Sequence, residues 1–196
     1  MMFILGGAVF VLAGGVLFLF LHKNKGRQLK KAVHFESEGK VNEAYLCYEA
    51  VLASDPGNLT ARWRLALMAI ARGAYPRAVS ELQALLARRE YPEKVQEHHV
   101  HFALGKAFVG MDSLANAFVA YYKGLQLNPG HPEGNLRMGL LYASQQKNDK
   151  ALKYLKTAVG MNEQYGEGFY YLGLLHADMG DFQSAIECLE KAGRYA

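Results

Sequence analysis

Cysteine is nearly missing from this 196-residue chain. Cys47 and Cys188 stand 141 positions apart and form no CxxC pair, which excludes a disulfide framework and a thiolate zinc site and leaves two buried free thiols as the expectation. Catalytic signatures are missing too. There is no GxSxG, HExxH or Walker-type loop, and the Asp and Glu residues are scattered with no pair suited to acid–base work, so neither an enzyme nor a cofactor is expected. Acidic residues are absent from the first 35 positions. Lys23, Lys25, Arg27, Lys30 and Lys31 all precede Glu36, and removing those five from the 22 Lys and Arg leaves 17 basic against 18 acidic side chains. The formal charge of +4 is therefore a local feature, and the near-neutral remainder offers no footprint for nucleic acid.

What the front end does contain is apolar. Phe3 to Leu21 form an uncharged run of 19 residues. A helix of about 20 residues crosses a hydrocarbon core of roughly 30 Å, so the run predicts a transmembrane anchor over residues 1–22, followed by a basic juxtamembrane segment at 23–31. Positive charge before the run and a small-residue cleavage site after it are both missing, which argues against a cleaved signal peptide. The five basic residues follow the span, and the positive-inside rule then puts the N-terminus outside and the body in the cytoplasm of a bacterial inner membrane. Gly6, Gly7, Gly14 and Gly15 put small side chains on one face of that helix, which allows self-association or a membrane-helix partner; glycine is also simply common in such helices.

The rest of the chain repeats itself. Gly105, Gly139 and Gly173 are 34 apart; Ala117, Ala151 and Ala185 follow each glycine by 12, then Tyr121, Leu155 and Leu189, then Gly124, Ala158 and Ala192. A constant period of this length is the mark of stacked supersecondary units. Weaker copies precede these: Ala66, Ala78 and Leu82, offset by five inserted residues within Arg88 to Glu97, and before them Ala32, Ala44, Tyr48 and the helix stop Asp55-Pro56. These residues resemble the tetratricopeptide repeat family, whose units are pairs of antiparallel helices with small residues at close crossings. The resemblance implies an all-α chain: an anchor followed by an α-solenoid over 25–196, with five repeats at about 25–58, 59–97, 98–131, 132–165 and 166–196. The insertion is expected to offset the first two repeats from the following three.

The same resemblance implies a binding groove formed by the first helices of successive repeats. One ladder of groove slots is Trp63, Phe102, Leu136 and Tyr170; the next is Leu67, Lys106, Leu140 and Leu174. Such a lining suits a hydrophobic or amphipathic segment of another protein, although aromatic residues at helical spacing also serve as core. A clamp for a C-terminal carboxylate has only Arg64, Lys106 and Arg137 to draw on, with no asparagine beside them in the apolar ladders. His98 and His101 lie three apart on a helix, but no further ligand is placed by sequence, and no metal site is assigned. The expectation is a membrane-anchored scaffold or adaptor that recruits proteins to the cytoplasmic face of the membrane. The architecture is similar to membrane-anchored repeat proteins that regulate lipopolysaccharide synthesis, without their rubredoxin-like domain. The alternative is a structural subunit of a secretion, pilus or flagellar assembly.

Overall fold

The structure, a computed structural model, describes residues 26–195, and its regular structure is helical throughout those residues. The predicted anchor, Lys23 and Lys25 lie outside the described residues. Among the described residues no helix is long and apolar enough to cross a membrane. Two compact units divide the chain between Ala74 and Tyr75.

The first unit holds α1 (26–37), α2 (Val41–Ser54) and α3 (Leu59–Ala71). Its core joins Ala32, Ala44, Tyr48, Val51, Ala61 and Leu65, all buried. Small residues let the helices approach, and the ring of Tyr48 fills the space they leave. Its hydroxyl donates to Glu36 Oε2 at 2.6 Å, and Arg64 Nη1 meets Glu36 Oε1 at 2.9 Å, so one carboxylate ties the three helices together. Burial, with the neighbouring Glu36 carboxylate next, pushes the phenol well above its ordinary range. Asn58 caps α3 by accepting the Ala61 N–H at 2.9 Å, which satisfies one of the orphan donors of a helix start. Arg27, Lys30 and Lys31 are exposed on α1.

The second unit holds α4 (Tyr75–Arg88), α5 (Glu97–Gly110), α6 (Leu114–Leu127), α7 (Pro132–Ala143), α8 (Asn148–Met161), α9 (Gly166–Asp178) and α10 (Phe182–Arg194). The small slots read from the period explain its packing. A Cβ added at Gly105 would lie 2.6 Å from the Tyr121 ring, at Gly139 2.8 Å from Leu155, and at Gly173 2.9 Å from Leu189. Each is a first helix pressed on its second helix at a distance that only glycine permits. Gly124 likewise faces Phe102, so along α5 and α6 residue numbers rise on one helix as they fall on the other: the pair is antiparallel. The insertion forms the α4–α5 connection, with Arg89 and Lys94 at positive φ. The chain divides at the α3–α4 turn rather than at this insertion, because α4 packs on α5 within the second unit.

The turns add a landmark that the sequence had not given up. Gly39, Gly73, Asp112, Gln146 and Gly180 all have φ between 55° and 80°. They recur at the spacing of the repeat, insertion included, each in the turn between a first and a second helix. The left-handed conformation there closes the first helix, which explains glycine at three of the five positions.

Candidate functional site

The groove positions separate into two kinds. Phe102 and Leu136 are core: 5 % and 0 % exposed. Phe102 lies against Gly124 and Gly134, and Leu136 belongs to the cluster of Leu155, Phe169 and Leu172. Equal sequence slots therefore do not share one environment, and these two are unavailable to a ligand. Tyr170, in the same slot on α9, is 47 % exposed. Trp63 and Leu67 are half-buried in the first unit.

The second ladder keeps its surface. Lys106 and Leu140 are half-buried, Leu174 is exposed, and the first two line a cavity of about 470 Å³ with Val109, Leu114, Tyr121, Arg137 and Leu141. α5, α6 and α7 supply these side chains, so the cavity sits between two successive repeats. Its walls are mainly apolar, with two cations at the edge, the composition that small binding pockets commonly have. A second hollow, of about 530 Å³, is lined by Tyr170, Tyr171, Glu167 and Leu189.

A ribbon of alternating charge runs along the first helices. Lys106 Nζ meets Glu133 at 2.5 Å, Arg137 Nη2 reaches Glu133 at 3.6 Å, and Arg137 also meets Glu167 at 3.2 Å. Burial works to raise the Glu133 pKa, but the Lys106 hydrogen bond and the two cations prevail and hold the carboxyl below its usual range. The Arg137 guanidinium is held protonated in the same way by Glu167 and Glu133 against the opposing effect of burial. Lys106 and Arg137 are thus already paired, as Arg64 is with Glu36, which takes all three candidate cations out of a carboxylate clamp. Sequence reasoning passed over Glu133 and Glu167, although they are 34 apart and so share a slot.

The histidines also differ from expectation. His98 does not join His101; it meets His99 and His131 instead, ring centroids 4.0 and 5.7 Å away. His131 is the N-cap of α7, its Nδ1 accepting the Gly134 N–H at 3.1 Å, while His99 Nδ1 accepts the Gln96 N–H at 3.0 Å. Asn135 fastens the loop below by donating to the Pro129 and His131 carbonyls at 2.8 and 3.0 Å. No spacing rule joins residues 98 and 131; the α6–α7 connection does.

A family profile described as tetratricopeptide repeat matches residues 29–95 and 136–196. No curated protein matches the sequence. Among solved structures, a MamA fragment from Desulfovibrio magneticus RS-1 superposes with a TM-score of 0.73 at 15 % identity, covering 87 % of this chain and 94 % of that one. A thermophilic repeat protein of Thermus thermophilus, TTC0263, gives 0.68 at 23 % identity, with 88 % and 91 % covered. YrrB, a repeat protein with an unusual peptide-binding site, gives 0.62 at 19 % identity, with 84 % and 82 % covered. At these identities the likeness speaks for the fold, and it agrees with the glycine crossings and the recurring turns. With well over half its length matched by the profile, the chain belongs to the tetratricopeptide repeat family.

Proposed function

We propose that the protein is a membrane-tethered scaffold that holds an apolar or amphipathic segment of another protein in the cavity between α5, α6 and α7. The observation that carries this reading is the pairing of an apolar hollow of about 470 Å³ with cations already neutralised by Glu133 and Glu167. A ligand gains there by burying apolar surface, worth about 25 cal/mol per Å², rather than by contributing a charge. The peptide-binding site described for YrrB supports a peptide segment as the ligand on this fold. Tethering rests on the 19-residue apolar run and the five basic residues after it, which favour an inner-membrane anchor with the repeats on the cytoplasmic side.

A second reading, a fixed subunit of a larger envelope assembly, draws on one observation. On α10, Phe182 and Ile186 are 68 % and 54 % exposed, and Leu189 adds to the same apolar face. Detergent extraction of the full chain separates the two. A scaffold releases into small complexes whose partner is lost with Leu140→Asp, whereas a subunit stays in a stoichiometric assembly that Phe182→Asp dissolves and Leu140→Asp leaves intact. Recovery of the intact chain without detergent, from the soluble fraction, contradicts the tether.

A further inference from the structure

Three imidazoles meet where α5 begins and α7 begins. One ring nitrogen each from His98, His99 and His131 lies within 4.8 Å of the other two. His98 is buried, while His99 and His131 are half-buried, so the cluster has a closed back and an open front. Phe102 supplies part of the back, its ring 5.8 Å from His98 and 4.4 Å from His131. Burial pushes both His98 and His131 below the ordinary histidine range, with the neighbouring imidazoles adding to it.

We infer that His98, His99 and His131 form a site for one divalent ion of borderline softness, of the zinc, cobalt and nickel class, with solvent completing its coordination. Three nitrogens suit such ions and suit magnesium or calcium poorly, since those require oxygen ligands. Glu133, the carboxylate that acts on His131, is engaged by Lys106 at 2.5 Å, and among the described residues no carboxylate joins the three rings. Asn128 Nδ2, 3.4 Å from His98 Nε2, is placed to orient that ring.

Binding has a structural consequence. His99 and His131 each use Nδ1 to accept a backbone N–H, so each neutral ring carries its proton on Nε2. Each neutral ring has one free lone pair, now given to the cap: an ion on Nδ1 displaces the backbone N–H, and an ion on Nε2 moves the ring proton to Nδ1, so by either route the cap is lost. The ion and the two helix starts compete for the one lone pair of each ring.

The test uses the untagged full chain in detergent, titrated with cobalt and followed by visible absorption and calorimetry. His131→Asn keeps a side-chain cap on α7, and His99→Gln keeps the reciprocal cap on α5, so both variants remove an imidazole without removing the fold. The expected result is one cobalt per chain, an affinity drop of about tenfold or more in each variant, no change in His34→Asn, and zinc but not magnesium in competition. Faster amide exchange at Gln96 and Gly134 on loading is expected with it. Cobalt binding equal in wild type and both variants, or no saturation at one per chain, overturns the site.

Discussion

Tyr48 in the first unit and Tyr121 in the second occupy the same slot of the repeat, and they are held in different ways. Tyr48 crosses Ala32, a residue with a Cβ, and its hydroxyl is tied through Glu36 to Arg64. Tyr121 crosses Gly105, where a Cβ would lie 2.6 Å from the ring, and it reaches the wall of the cavity. One tyrosine is held by a polar network, the other chiefly by its fit against Gly105. The difference shows that a single slot rule, small residue against large, leaves room for a carboxylate lock where the small residue is alanine and for a cavity-lining ring where it is glycine.

Adding a methyl group breaks the comparison hardest. Gly105→Ala is expected to cost about 1–3 kcal/mol by overpacking, since the added Cβ would lie 2.6 Å from the buried Tyr121 ring, while alanine already stands at position 32. Chemical denaturation followed by amide exchange in α5 and α6 measures the loss, and a neutral result refutes the close crossing.

Removing one oxygen sharpens it. Tyr48→Phe is expected to lower stability by about 1–2 kcal/mol, through loss of a hydrogen bond to a charged group, and Tyr121→Phe by less than about 0.5 kcal/mol. Trp63, the only tryptophan and a member of α3, reports the first effect by fluorescence. Equal losses at both tyrosines remove the distinction between them.

A smaller effect is expected at the turns. Gln146 takes φ of 58° where Gly39, Gly73 and Gly180 stand in the equivalent turns, so Gln146→Gly should raise stability by about 0.5–1 kcal/mol. The reverse change, Gly180→Ala, should lower it by about 1 kcal/mol in the same denaturation assay.

How much of this was legible in the sequence depends on the length scale. Helix pairing and the glycine crossings were readable because a helix crossing demands a small residue at a fixed phase, and Gly105, Gly139 and Gly173 keep that phase. The groove was only half readable. Phe102, Leu136 and Tyr170 share a slot, yet burial depends on what packs from the next helix, and period alone carries no record of that. The charge ribbon had a signal in the 34-residue spacing of Glu133 and Glu167, but their partners Lys106 and Arg137 come from other slots. The histidine cluster had none, because His131 reaches His98 through a connection between repeats.

The central claim is that the cavity between α5, α6 and α7 is where another protein binds. Site-specific photocrosslinking in the membrane from position 140, which lines the cavity, against position 153, exposed on α8, tests it directly. The account predicts one defined adduct from position 140, absent from position 153 and abolished by Leu114→Asp on the facing wall. The same adducts from both positions, or an adduct from 140 that survives Leu114→Asp, would contradict it.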